Sequence, residues 1–235
     1  MKIQLKFNLL PLFLLLLFQT TSYAATFTWT GNANSEWNNL NNWSGGTFLD
    51  LIPNADDDVI IPTGLTNYPE IGGSVTQSIR ILSMVVESGA TVTVASQGTL
   101  RVFGPLGDGI DNAGTITNNG IIRIRDAGAR GLDNNSGATF TNDGTLDIGT
   151  NNQPTQDNGI VNRGPNTSFQ NNGIINIEHT NTPAIRNGGS ASFLNANGAS
   201  INIGQNSGNI SGSGIRNTFF NTIFTNSGTI NIDNT

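Results

Sequence analysis

The sequence predicts an all-β chain, a right-handed parallel β-helix closed at its start by an N-terminal β cap. Two observations carry this. A short unit recurs down the second half: Phe140-x-Asn142-x-Gly144-x-Leu146-x-Ile148 returns as Phe169-x-Asn171-x-Gly173-x-Ile175-x-Ile177 and as Phe224-x-Asn226-x-Gly228-x-Ile230-x-Ile232. Apolar residues elsewhere alternate with period two, and beyond the first two dozen residues no window shows helical period. A repeat of roughly 22 to 31 residues built from period-two strands is the mark of a solenoid.

Residues 1–24 read as a secretory signal peptide. Lys2 and Lys6 form a basic start, an apolar run follows from Leu9 to Phe18, and Ser22-Tyr23-Ala24 is a small-x-small cleavage site. The apolar run is shorter than the about 20 residues a membrane span needs. No later segment would cross as a helix, so a secreted or outer-surface location is expected. Cleavage removes both lysines and with them two of the positive charges behind the formal −6, leaving −8. Arg is then the only fixed cation. Such a surface repels nucleic acid and anionic membranes, and it offers no amine side chain for Schiff-base chemistry. The chain has no cysteine. An exported fold without disulfides must draw its stability from elsewhere, and stacked repeats supply it.

Residues 25–74 read as the cap. Trp29, Trp37 and Trp43 all fall here, Thr26 to Thr30 alternates as a strand, and Val59-Ile60-Ile61 ends at Pro62. The tryptophans are expected to pack over the first coil, since they bury large area. Residues 75–235 read as the solenoid. Ile79-x-Ile81 and Val92-x-Val94 open it, and Val94-x-Ser96-x-Gly98-x-Leu100-x-Val102 is a degenerate unit. Ile116-x-Asn118-x-Gly120-x-Ile122-x-Ile124 has Ile for Phe, and Phe193, Asn195, Gly198, Ile201 and Ile203 form a copy with two extra residues. A second marker precedes each unit, at Ile110-Asp111-Asn112, Leu132-Asp133-Asn134, Ile160-Val161-Asn162, Ile185-Arg186-Asn187 and Ile215-Arg216-Asn217. Each coil therefore carries three short strands, and right-handed crossovers are the overwhelming rule for parallel strands.

Alternation puts Phe140, Asn142, Gly144, Leu146 and Ile148 on one face, pointing into the coil. Gly and Asn are expected at the bends, where φ turns positive. Coils about 4.8 Å apart would set like on like, so Asn118, Asn142, Asn171, Asn195 and Asn226 should form a structural amide ladder. From the last Ile of one unit to the next marker residue the spacing is eight, twelve, eight and twelve residues. The two insertions, at 149–158 and 204–213, gather at one corner, where solenoids often bind.

The residues Thr28-Trp29-Thr30-Gly31, Trp37-Asn38, Asn42-Trp43-Ser44, Pro53, Asp57 to Pro62 and Tyr68-Pro69, followed by Gly-Ala-Thr-Val-Thr-Val at 89–94 and Asn-x-Gly-Thr-Ile coils, resemble exported surface proteins of Bacteroidetes-type bacteria. The resemblance covers nearly all of the mature chain. It implies a secreted or surface-displayed β-solenoid, adhesin-like or pectin-lyase-like, often ending in a type IX secretion sorting domain. No such domain is visible before Thr235. The expectation is a fragment, a truncated frame, or a chain completed at its open end by a further segment or partner.

Chemistry is sparse. His179 is the only histidine and sits in a loop-like stretch, so it reads as an exposed loop residue rather than part of a triad. Zinc needs several His or Cys. Asp111 and Asp133 occupy matching positions in successive coils and would form a candidate acid pair or cation site, although exposed polar positions are the plainer reading. Arg123, Arg125 and Arg130 lie near Asp126 and Asp133 and are available to a lyase, but their spacing is not diagnostic. Asp56, Asp57 and Asp58 are weak calcium candidates; no other cofactor is implied. Thr91-x-Thr93 and Thr115-x-Thr117 hint at an ice- or mineral-binding face but fall out of register. The resulting expectation is a non-catalytic structural or adhesive module for glycans, matrix or cells, with a polysaccharide lyase or glycoside hydrolase as the alternative. An enzyme should gather its acids and arginines into one groove; a scaffold should scatter them.

Overall fold

The computed structural model describes residues 24–46, 50–104, 106–135, 137–150, 152–205 and 209–233. The signal-peptide reading of 1–24 therefore lies outside the described residues except for Ala24, and so do part of the 204–213 insertion and Thr235. The described chain is a parallel β-solenoid of about seven coils, with no α-helix among the described residues and a single 3-10 turn at Leu40–Asn42.

Three sheets run along the solenoid. In the repeat region each coil gives one strand to each sheet. Coil 4, for example, contributes Leu132–Asn135 to the first sheet, Thr139–Asn142 to the second and Thr145–Ile148 to the third. Every pairing along the stack is parallel and in register: Ile116, Phe140, Phe169, Phe193 and Phe224 sit one above another. Among the described residues the single antiparallel pair lies in the cap, where Thr26–Trp29 meets Trp43–Gly45.

Stacking starts earlier than the sequence boundary at 75. Asp58–Ile61 pairs in parallel with Ser83–Val86, and Glu70–Ile71 pairs with Thr91–Val94. These two strands open the first coil because Val59, Ile61 and Ile71 already point inward and are fully buried. Trp29 and Trp37 are fully buried and Trp43 nearly so, closing the end of the core. Trp43 donates to the Trp37 carbonyl at 2.7 Å and Trp29 to the Asn67 carbonyl at 2.8 Å.

The inner columns are apolar and tight. Phe140, Phe169, Phe193 and Phe224 stack with centroid spacings of 4.9, 4.5 and 4.9 Å. Those spacings match the strand separation, so the backbone repeat sets the ring geometry. Burying each such ring stabilises the stack by about 1.5–3 kcal/mol.

One expectation is corrected here. Gly120, Gly144, Gly173 and Gly228 do not have positive φ. They are glycine for want of space. A Cβ on Gly144 would lie 2.1 Å from the Gly120 carbonyl oxygen, and one on Gly173 would lie 2.1 Å from that of Gly144. The bend folds each coil onto the carbonyl of the coil before it, and no side chain fits between. Gly198, in the looser copy, differs: its φ is +83° and the space around it is open.

Candidate functional site

A charged cluster lies on the outer side of the first sheet. By register one outward column runs Asp111, Asp133, Val161, Arg186, Arg216. Acids thus occupy one end and arginines the other. Asp133 is 1 % exposed, which corrects the expectation of a solvent-facing residue. Its cover is two guanidinium groups. Arg163 donates through Nε at 2.9 Å and Nη2 at 2.6 Å, and Arg130 donates through Nη1 at 2.6 Å. A carboxylate buried this deeply is tolerable only with such pairing. The bond to Asp133 in turn holds Arg163 above the ordinary arginine range.

Arg130 comes from the loop before its strand and also reaches Asp108. Its backbone N–H donates to Asp108 Oδ1 at 2.8 Å, and Nη1 lies 3.4 Å from Oδ2. Asp157 lies 3.9 Å from Arg130 Nε. Asn135 donates to Asp111 Oδ1 at 2.6 Å. Each of these contacts joins residues of different coils, so the cluster staples the outside of the stack. Burial pushes the Asp108 carboxyl up, more than the Arg130 backbone bond and charge pull it down. Asp108 and Asp111 also line a groove of about 510 Å³, together with Asp58, Ser83 and Val85. The anticipated pair of Asp111 and Asp133 is adjacent in register, but its two members have different fates: one is locked under arginines, the other faces the groove.

Toward the other end the column becomes basic. Arg186 and Arg216 are in register on adjacent strands, and neither forms an ion pair among the described residues. They line a cleft of about 640 Å³ with Asp157, Thr182, Pro183 and Phe219. Arg186 and Phe219 also line a neighbouring depression of about 370 Å³, beside Arg163 and Pro165. Phe219 is 73 % exposed and has φ of +73°, a conformation that bulky residues rarely adopt. The cleft borders the variable corner. There Thr155, Thr180 and Ile210 bridge in parallel and are buried, so the insertions are themselves stacked.

The remaining sequence candidates fall elsewhere. Asp56 is exposed, Asp57 is buried and Asp58 is intermediate. Asp57 accepts from the Ala25 and Asn54 backbones, whereas Asp58 accepts from the Ser83 hydroxyl. Strand alternation turns these carboxylates apart, and among the described residues no three His, Cys, Asp or Glu side chains converge as a metal site. His179 is half-buried rather than exposed, because the stacked corner covers it, and its Nδ1 has no partner among the described residues. Arg123 pairs with Asp147 at 3.2 Å on the third sheet, away from the cluster. Arg125 donates to the Gly149 carbonyl at 3.0 Å, and burial lowers its pKa from the usual arginine value.

Asn118, Asn142, Asn171, Asn195 and Asn226 are joined Nδ2 to Oδ1 at 2.7, 2.8, 2.7 and 2.7 Å. Sequence reasoning missed a second column, in which Asn112, Asn134, Asn162, Asn187 and Asn217 are joined at 2.7, 2.8, 2.8 and 2.9 Å. Its signal was present in the recurrent Ile/Leu-x-Asn marker. The sequence alone gave no sign that Arg163 covers Asp133, since that contact depends on one coil's strand projecting over its neighbour's.

Over residues 28–161, more than half of the chain, the sequence matches the family described as a domain of unknown function (DUF8693). It belongs to that family. The matched segment contains Asp108, Asp111, Arg130 and Asp133, whereas Arg163, Arg186, Arg216 and Phe219 lie beyond it. No curated protein and no solved structure matches the chain. No helix among the described residues is long and apolar enough to cross a membrane.

Proposed function

We propose that this chain is a secreted or surface-displayed, non-catalytic β-solenoid that binds a glycan, matrix or cell-surface ligand. The observation that carries this reading is the cleft at Arg186 and Arg216. Two arginines in register on adjacent strands, lining one cleft and without an ion-pair partner among the described residues, repel each other, and they persist on a chain whose overall charge is negative. A carboxylate or sulfate would neutralise them through bidentate hydrogen bonds, and the exposed Phe219 ring offers an apolar face for a sugar ring. The ligand class is therefore an acidic glycan. The resemblance to exported Bacteroidetes-type surface proteins supports the same location and role.

The test is a binding panel of neutral, carboxylated and sulfated glycans. The unaltered protein should retain acidic members, and Arg186→Ala with Arg216→Ala should weaken that binding about tenfold or more, as loss of 1.5–3 kcal/mol of charged hydrogen bonding implies. Unfolding temperature should hardly move, because neither arginine is paired. Equal binding by the double variant would overturn the assignment.

A second reading rests on Asp108 and Asp111. A carboxyl whose pKa burial raises, beside a second carboxylate in a groove, is the kind of arrangement glycoside hydrolysis uses, and the gathering of charges on one sheet is what an enzyme would show. Release of new reducing or unsaturated sugar ends, abolished by Asp108→Asn, would establish that reading in place of the first.

A further inference from the structure

Asp57 is 2 % exposed and has no arginine, lysine or histidine within ion-pair distance among the described residues. Its Oδ2 accepts the Asn54 backbone N–H at 2.9 Å, and its Oδ1 accepts the Ala25 backbone N–H at 3.1 Å. A buried carboxylate held by neutral amides alone is poorly compensated. The Ala25 nitrogen is no ordinary amide, however. It follows Ser22-Tyr23-Ala24, the cleavage site read from the sequence. Ala24 is exposed, whereas Ala25 packs against the core, so the chain passes from solvent to interior at the Ala24–Ala25 bond. Ala25 is also clamped from its other side, where its carbonyl accepts the Asp58 N–H at 2.8 Å.

We propose that removal of the leader after Ala24 supplies the missing counter-ion, and that the new Ala25 ammonium locks the cap by pairing with buried Asp57. A peptidase adds one water across the Ala24–Ala25 amide. Ala24 departs with a carboxylate, and Ala25 keeps its nitrogen, which takes up a proton and becomes a three-donor cation. The charge thus arises on an atom already within hydrogen-bond reach of Asp57 Oδ1. Thr26–Trp29, the strand that follows, holds both the Trp43–Gly45 strand and the first coil. The cap therefore reaches full stability only in the processed chain. The inference rests on the secretion reading above.

Two measurements separate the two. N-terminal sequencing of the exported protein should begin at Ala25; another start would sink the cleavage assignment itself. The mature chain is then compared with a free amine, with an N-acetyl group, and with Tyr23-Ala24 retained. The free-amine form should unfold about 2–4 °C or more above the other two, and Asp57→Asn should abolish the difference. Equal midpoints in all three forms, or a difference that survives in Asp57→Asn, would overturn the lock. Should that variant not fold, the amine can be titrated directly. The mature chain has no lysine, so reductive ¹³C-methylation labels the Ala25 amine alone. A paired ammonium titrates above the ordinary range of about 7.7–8.0; titration within or below that range refutes the pairing.

Discussion

Gly144 shows how one position can be dictated by a neighbour in the next coil. Its φ is ordinary, but a Cβ there would collide with the Gly120 carbonyl oxygen, which is backbone and cannot swing aside. Gly144→Ala should therefore lower stability by about 1–3 kcal/mol, the usual range for overpacking. Gly107→Ala is the control: nothing lies within 4 Å of its added methyl and its φ is not positive, so its effect should stay within about 0.5 kcal/mol. Urea unfolding of the two variants decides the matter, and equal losses would mean that backbone freedom, not space, selects the glycine. The sequence showed that a glycine recurs at this step of the unit. It could not show why, because the clash is between residues 24 positions apart whose approach depends on the bend. Asp133 makes the same point for charge. Its alignment with Asp111 was readable from the repeat, whereas its burial was not, since Arg130 reaches it from a loop and Arg163 from the following coil.

At the scale of the strand, the two asparagine columns do more than link coils. Asn118, Asn142, Asn171 and Asn195 each donate also to a backbone carbonyl at the corner between the second and third sheets, at 3.0 to 3.2 Å. Asn134, Asn162 and Asn187 do so at the corner between the first and second, at 2.9, 2.8 and 2.8 Å. Each of these carbonyls belongs to the first residue of the strand that follows the corner, so the amide ties the bend to the start of the next strand. A short amide with two donors and an acceptor satisfies its neighbour and the corner together. Asn171→Ala removes the bonds to Asn195 and the Ser200 carbonyl, and it deprives the Asn142 amide of its ladder acceptor. The loss should be about 1–3 kcal/mol. Asn226→Ala, at an exposed position in the last described coil, should cost less than about 1 kcal/mol because water replaces what it loses. Similar losses at the two sites would mean that burial contributes nothing to the ladder. The first column was legible because Phe or Ile marks its strand from both sides. The second was hidden in a strand whose intervening residue changes from Asp to Val to Arg, so only alignment against the first revealed its regularity.

Across the whole molecule, stability must be distributed unevenly, because each coil touches only the coil before and the coil after it. Coils 2 to 6 have two neighbours, and the first has the tryptophan cap. The last described coil has one among the described residues, and its core shows it: Ile232 is 44 % exposed, whereas Ile203, its register partner one coil earlier, is fully buried. Each lost neighbour removes apolar burial from all three strands at once, together with one side of their hydrogen-bond ladders. Opening of that coil therefore requires little disruption elsewhere, whereas opening an inner coil breaks two interfaces. Amide hydrogen exchange reports these local opening energies directly. Protection should be weakest over Ile215–Thr218, Ile223–Asn226 and Thr229–Ile232, and strongest over Ile160–Arg163, Ser168–Asn171 and Ile174–Ile177. The cap end should not mirror this fraying, since Trp29 and Trp37 seal the first coil as fully as another coil would. Uniform protection along the stack would instead mean that the columns couple all coils into one cooperative unit, and the nearest-neighbour account of this solenoid would have to be abandoned.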